Sequence, residues 1–295
     1  MAGSEVPVKD AAMVDPPAAR PAPRRLLRAS DGDTPVVEQP VRMVSVDTPE
    51  KAGYAGAPPA AQATLDRCRA RLADGTYDPL VPAELREYLL ERLTPDAARR
   101  HVTAGERASA EFDVLLERRL ARPGGGRRRV AVLPAGEMID RYGRLLAYIA
   151  PWFEGGPGDP LPPRDHPDRR TFNLDMVASG WGAPFLVHPS LPSSADLRVL
   201  LREAGAAWTE RRGMWAEFGA DLLLAYEYRA CVKLGVRELD DPKATVANAY
   251  QRICVDLRDR SVVGPFGYHR VPPSYRLWIW PDRFEQARDE LNLPH

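Results

Sequence analysis

Apolar residues recur every three or four positions along several stretches of this chain, which is the spacing of helices with one buried face. The clearest case is residues 194–212, where one side of the helix collects Leu197, Leu200, Leu201, Ala204 and Trp208. We predict six further helices, over residues 60–73, 82–93, 105–120, 172–180, 216–234 and 243–257. Much of the chain is therefore expected to be helical.

Shorter runs of β-favouring residues, bounded by turn-forming residues, predict strands. We place them at residues 24–30, 40–46, 128–136, 143–152 and 275–281. The last run is apolar on both of its alternating faces, as in a strand that is buried on both sides. Strands and helices follow one another in separate groups, and this order predicts an α+β fold with a small barrel rather than a doubly wound sheet.

Composition limits the possible functions. The chain has 295 residues with 41 basic and 41 acidic side chains, so any phosphate binding needs a local site rather than bulk charge. Residues 1–23 are rich in Pro and Ala and are predicted to be a disordered tail. We see no secretory signal, no apolar run long enough for a membrane and no metal-ligand spacing among the three cysteines. These features predict a cytoplasmic protein with reduced thiols and no membrane partner.

Three short stretches concentrate the candidate chemistry: DGDT (31–34), VRMVSVDTPE (41–50) and DRYGRLLAYI (140–149). Their side chains include the carboxylates of Asp31, Asp33, Asp47 and Glu50 as oxygen donors and the guanidinium groups of Arg42 and Arg144. Oxygen donors suit a hard cation such as calcium, with magnesium or manganese as lesser alternatives. Arginine forks suit a phosphodiester, which they grip through two parallel hydrogen bonds.

The three stretches resemble the signature segments of the staphylococcal nuclease (thermonuclease) family, in the same order and with matching internal spacing. Three flanking segments are also similar to helices of that family: residues 104–120, 172–182 and 197–215. The resemblance spans residues 24–215 and implies a five-stranded OB-type β-barrel with packed helices. Here the barrel would carry a helical insertion at about 52–103 and an extra α/β region at 216–295.

The resemblance also implies a metal site. Asp33 and Asp47 would bind calcium through their carboxylates, and Thr48 would bind it through its backbone carbonyl. Asp31 would orient a water molecule bound to the metal. The metal would polarise a phosphoryl oxygen of the substrate.

The remaining roles that the resemblance implies concern the substrate. Glu50 would be the general base that takes a proton from the attacking water. Arg42 and Arg144 would stabilise the charge that develops on the phosphate. Tyr142 and Arg141 would contact the substrate near the phosphate. The implied protein is a calcium-dependent phosphodiesterase, an endonuclease of the hydrolase class that acts on DNA or RNA.

Several departures leave an alternative open. The insertion could cap the site, and the positions of the family's base-stacking tyrosines correspond to Leu186 and His188. The protein could therefore be a scaffold recruited to another role, either as an enzyme for a small anionic metabolite or as a subunit that docks a partner protein through 216–295. Two further segments offer weak contacts for nucleic acid, although a solvated turn explains RPGGGRRR (122–129) better and core packing explains YRLWIWPDRF (275–284) better.

Overall fold

The structure is a computed structural model, and it describes residues 23–54, 56–122, 124–140, 142–153, 155–156, 158–164 and 166–294. Nearly all of the predicted tail, and the predicted substrate contact Arg141, lie outside these ranges. The strands are β1 (Leu26–Ala29), β2 (Pro35–Val37), β3 (Val41–Met43), β4 (Ser45–Asp47), β5 (Val130–Ile139), β6 (Leu145–Pro151), β7 (Ala183–Val187), β8 (Ile253–Asp256), β9 (Val262–Gly264) and β10 (Arg276–Ile279). The helices are α1 (Pro58–Ala73), α2 (Ala83–Arg92), α3 (Ala97–Leu120), α4 (Phe172–Ala178), α5 (Ser194–Thr209), α6 (Met214–Glu217), α7 (Ala225–Leu234), α8 (Pro242–Ala249) and α9 (Phe284–Leu291).

The described strands form three sheets, and together with the helices they confirm the α+β prediction. A short hairpin contains β1 and β2, a three-stranded sheet has the order β3-β6-β5, and a five-stranded sheet has the order β4-β7-β10-β8-β9. No closed barrel is seen among the described residues. Strands from both sides of the predicted 215/216 boundary pair in the largest sheet, where β10 lies parallel to β7 and antiparallel to β8.

The predicted strand over 40–46 is wrong in one respect, because it is two strands in two different sheets. The chain bends at Ser45, whose φ of 61° lies in the left-handed region. Before the bend, β3 pairs with β6. After it, β4 pairs with β7 and is buried. The bend therefore carries the chain from one sheet to the other within a few residues.

Three predicted helices need correction. The helix predicted over 105–120 begins earlier, at Ala97. The helix predicted over 216–234 is interrupted between α6 and α7, where Gly219 has a φ of 78°. The helix predicted over 243–257 ends at Ala249, and its last part is strand β8, because Cys254 pairs with Trp278 of β10.

Two apolar clusters hold these layers together. The first joins α1 and α2 of the predicted insertion to the C-terminal region, with Leu65 and Leu85 packed in one cluster with Tyr226 and Trp278. The second lies on the other side of the large sheet, between β4, β10 and helices α3 to α5. The insertion is therefore part of the interior. Within the described residues, each helix is too short or too polar to span a lipid bilayer.

Candidate functional site

The centre of the site is the buried carboxylate of Asp47, at the end of β4. Nη2 of Arg42 donates to its Oδ1 at 2.6 Å, and Nη2 of Arg229 donates to its Oδ2 at 2.5 Å. The chain turns at Ser45, between the two residues, and this bend lets the side chain of Arg42 on β3 reach the carboxylate on β4. Asp47 is itself fixed by the register that places it opposite Ala183 of β7. One carboxylate thus binds two arginines that lie far apart in the sequence.

Glu50 belongs to the same cluster. Nη1 of Arg229 donates to its Oε1 at 2.6 Å, so Arg229 bridges both acids. The backbone N–H of Glu50 donates to Nε2 of His101 at 2.8 Å. Because Nε2 accepts this bond, the proton of the neutral ring is on Nδ1, which donates to the carbonyl oxygen of Leu223 at 2.9 Å. The ring of His101 stacks on Tyr228, with 3.8 Å between ring centroids.

The position of the Glu50 loop also depends on Gly105 in α3. A Cβ at Gly105 would lie 2.7 Å from the carbonyl oxygens of both Pro49 and Glu50. The helix can approach the loop this closely only because glycine has no side chain. His101 lies one turn earlier on the same helix, so α3 holds the loop through a close backbone approach and a hydrogen bond.

The electrostatics of the cluster follow from burial and pairing. Burial alone would raise the pKa of Asp47, but Arg229 and Arg42 outweigh it and lower that pKa to about 2. Burial would lower the pKa of Arg229, but its two carboxylate partners raise it above the ordinary value. Burial lowers the pKa of His101 to about 3, so this ring is neutral at physiological pH.

Arg144 immediately precedes β6, the strand that pairs with β3. Arg42 is paired with Leu146 of β6, and Arg144 precedes Leu146 by two residues, which places it on the same face of the sheet. Asp140 orients Arg144, since its Oδ2 accepts from Nε at 2.8 Å and from Nη2 at 2.7 Å. The exposed ring of Tyr142 lies 5.3 Å from the guanidinium of Arg144.

The structure does not bring the predicted metal ligands together. Asp31 and Asp33 lie in the exposed turn between β1 and β2, where the Thr34 hydroxyl donates to Asp33 at 3.1 Å. A hydrogen bond from Thr34 lowers the pKa of Asp31. Thr48 directly follows β4 and is half-buried. Across the described ranges, no three His, Cys, Asp or Glu side chains converge in a way that could hold a metal ion.

The residues that are present do not fit a calcium ion in this arrangement. Both oxygens of Asp47 already accept hydrogen bonds from guanidinium groups. A calcium ion at coordination distance from Asp47 would lie within about 5 Å of the Arg229 nitrogen. At an effective dielectric constant of about 20, the repulsion would be about 7 kcal/mol or more. A calcium requirement therefore remains an untested prediction that this arrangement does not favour.

The two residues at the predicted stacking positions are buried. Leu186 is in the core, and Nε2 of His188 lies 2.8 Å from Oε2 of Glu290.

A cavity of about 20 Å³ adjoins Asp47 and is also lined by Arg276. This volume suits a single water molecule.

A second feature is a basic groove of about 680 Å³ at the far end of the β5–β6 hairpin. It is lined by Arg122, Arg127, Arg129, Trp152 and Gly155. The side chain of Trp152 is 53% exposed, although it is large and apolar. Arg128 supports the groove from behind by donating to Asp168 at 2.7 Å and to the carbonyl oxygen of Trp152 at 2.9 Å.

Sequence reasoning missed three parts of the site: Arg229, His101 and Gly105. A local signal existed for Arg229, since it is a cation within a helix whose neighbours are nearly all buried. Such a residue needs a partner. His101 and Gly105 carried no comparable signal, because their roles depend on where the Glu50 loop packs.

A scan against protein-family models found no match, and a search of curated proteins found no relative of this chain. The resemblance to staphylococcal nucleases therefore depends on the three motifs, the three flanking segments and their order.

Proposed function

We propose that this protein is a phosphodiesterase that hydrolyses nucleic acid at the cluster of Arg42, Asp47, Glu50 and Arg229. The observation that carries the proposal is the arrangement around Asp47, whose carboxylate accepts from two guanidinium groups, one of which also donates to the carboxylate of Glu50. The side chains of Arg42 and Arg229 are 29% and 22% exposed. Both side chains are therefore partly open to solvent.

The reaction assigned to these residues is hydrolysis by water. The water oxygen forms a bond to phosphorus, and the bond between phosphorus and the leaving sugar oxygen breaks. Glu50 accepts a proton from the attacking water, and solvent supplies a proton to the leaving oxygen. Arg42 and Arg229 donate to the phosphate oxygens as their negative charge grows, and Arg144, just before β6, is the candidate third donor.

The basic groove supports nucleic acid as the substrate. Arginines beside an exposed tryptophan are a combination that holds single-stranded nucleic acid, since the ring stacks on a base and the charges follow the backbone. Strand β6 leads from Arg144 to Trp152 over about 25 Å. A strand of nucleic acid bound at the cluster could continue to the groove.

The exposed apolar residues of the small sheets support the barrel that the resemblance implies. Strand β5 exposes Val132, Leu133 and Met138, and the β1–β2 hairpin exposes Leu26 and Leu27. Consecutive strand residues face opposite sides of the sheet, so closure of a five-stranded OB-type barrel would bury one alternate set of these side chains and recover the free energy of removing that set from water.

The alternative of a small-metabolite enzyme finds less support. A pocket for a metabolite commonly has a volume of about 300 Å³ or more. The cavity beside Asp47 has about 20 Å³, which is too small for a metabolite and equally for a phosphodiester, so a substrate of either kind would have to bind at the open surface of the cluster. The helices of the insertion pack against the C-terminal region, which favours a structural role for them over that of a lid.

The test is a cleavage assay on labelled single-stranded DNA and RNA, with calcium and separately with EDTA. We expect the wild-type protein to cleave at least one of these substrates. Arg42→Ala should be slower by about 100-fold to 1000-fold, because it removes a donor to the developing charge. Arg198→Ala, which removes an exposed arginine on α5, should cleave at the wild-type rate. Equal cleavage by wild type and Arg42→Ala, or no cleavage by either, would contradict the proposal.

A further inference from the structure

The guanidinium of Arg229 contacts Asp47, one of the two carboxylates through which the resemblance to nucleases would hold a divalent cation. It contacts the carboxylates of both Asp47 and Glu50. We propose that Arg229 takes the place of the metal, so that this site binds and cleaves a phosphodiester without a divalent cation. The inference deepens the proposed function and rests on it for the cleavage step.

The position of Arg229 is fixed by its helix. Seven of the ten residues of α7 are buried, and Tyr228, the residue before Arg229, stacks on His101. The ring of Phe185 on β7 lies 5.8 Å from the guanidinium. A side chain held this way is oriented before substrate arrives, which is the condition for strong electrostatic stabilisation of a transition state.

The charge of Arg229 is permanent. The two carboxylates that it contacts stabilise its positive charge, and an arginine guanidinium stays protonated in proteins in any case. A guanidinium carries five N–H donors in a planar fork, and the two salt bridges require only two of them. The same group can therefore hold Glu50 in place and also donate to a phosphate oxygen.

Charge balance favours the guanidinium over a metal in the same place. Asp47 and Glu50 carry two negative charges, and Arg42 and Arg229 carry two positive charges, so the cluster is neutral without a metal ion. The ligands of a cation would have to include Asp47, whose two oxygens are already occupied. Asp33, the other predicted carboxylate ligand, is in an exposed turn. The site has its positive charge from the protein itself.

The experiment titrates calcium chloride into the wild-type protein, Arg229→Ala and Arg229→Lys by calorimetry, and then inorganic phosphate in the presence of EDTA. We expect no saturable calcium binding by the wild type up to millimolar concentration, and phosphate binding that EDTA does not change. Arg229→Ala should bind phosphate about tenfold or more weakly, because a charge-assisted donor is lost. If Arg229→Ala does not fold, Arg229→Lys keeps the charge but loses the fork, and it should also bind phosphate more weakly.

Saturable calcium binding by the wild type that Asp47→Asn abolishes would overturn the inference. The inference would also be overturned if the wild type cleaved in no buffer while Arg229→Ala cleaved in calcium. Arg229 would then block a metal site rather than replace the metal. The calcium titration does not depend on cleavage. If neither the wild type nor any variant cleaves, the proposed hydrolase function is refuted. The calcium titration decides separately whether Arg229 takes the place of the cation.

Discussion

The guanidinium of Arg229 and the carboxylate of Asp47 lie 2.5 Å apart although 182 residues separate them in the sequence. The ion pair joins α7 in the C-terminal region to β4 in the part of the chain that carries the nuclease-like motifs. Strands of both regions also pair with each other in the five-stranded sheet. The C-terminal region therefore contributes directly to the site.

Replacement of Asp47 by asparagine should destabilise the protein. It leaves Arg42 without this carboxylate and Arg229 with Glu50 alone, and breaking a buried pair in this way costs about 3–5 kcal/mol. Urea unfolding measures the loss. The matched control is Asp221→Asn, which removes the exposed partner of Arg100 and should change the free energy of unfolding by about 1 kcal/mol or less. Equal losses in the two variants would refute the buried role of Asp47.

The stability should depend on pH through His101. Its pKa in the folded protein is about 3, below the ordinary value of 6.5, so below pH 6.5 the unfolded chain binds a proton that the folded protein does not. The contribution of His101 to the free energy of unfolding is therefore fully present at alkaline pH and is lost as the pH falls. The expected loss from this residue is about 2 kcal/mol between pH 8 and pH 5.

The corresponding variant is His101→Gln, whose side chain is neutral at all these pH values. Thermal unfolding of both proteins from pH 8 to pH 5 should show a smaller decline for the variant. Parallel curves would mean that His101 is protonated in the folded state.

A methyl group at Gly105 should disturb the site. Gly105→Ala places a Cβ against the backbone of Pro49 and Glu50, and such overpacking costs about 1–3 kcal/mol. Because the loop carries Glu50, the cleavage rate should fall as well. Gly205→Ala on α5 is the control, since no atom lies within 4 Å of its Cβ, and it should stabilise the helix by about 0.5–1 kcal/mol. A Gly105→Ala variant as stable and active as Gly205→Ala is the result that contradicts this packing.

The basic groove should contribute to binding rather than to chemistry. Trp152→Ala should weaken binding of single-stranded nucleic acid by about 1–3 kcal/mol through loss of stacking. Arg129→Ala should weaken binding and reduce its dependence on salt, because one phosphate contact is lost. Fluorescence anisotropy at several salt concentrations measures both effects, with Arg198→Ala as the control. Wild-type affinity in the Trp152 and Arg129 variants would contradict a role for the basic groove in binding nucleic acid.

Local pattern predicted the elements whose structure is decided locally. The periodic segment 194–212 is α5, and the run at 275–281 is the buried strand β10. The segment predicted as the end of a helix over 243–257 is strand β8 because its residues pair with β10, some twenty residues later, and a short apolar run does not reveal that partner. The bend at Ser45 is likewise set by the two sheets that it joins.

The same distinction applies to the site. Arg42, Asp47 and Glu50 lie within nine residues, and one motif was enough to nominate them together. Arg229 joins them through the packing of α7, which no local spacing encodes. The motif also nominated Asp33 as a metal ligand, and the structure places that residue in an exposed turn.

The most direct test of the account is a double-mutant cycle on the cleavage rate in EDTA, with Arg42→Ala, Arg229→Ala and the double variant. Both arginines hold Asp47 and would grip the same phosphate, so their effects should not be additive. We expect each single variant to lose about 100-fold or more and the double variant to lose little beyond the worse of the two. A wild-type rate in Arg229→Ala, or two losses that simply multiply, would contradict a single shared site.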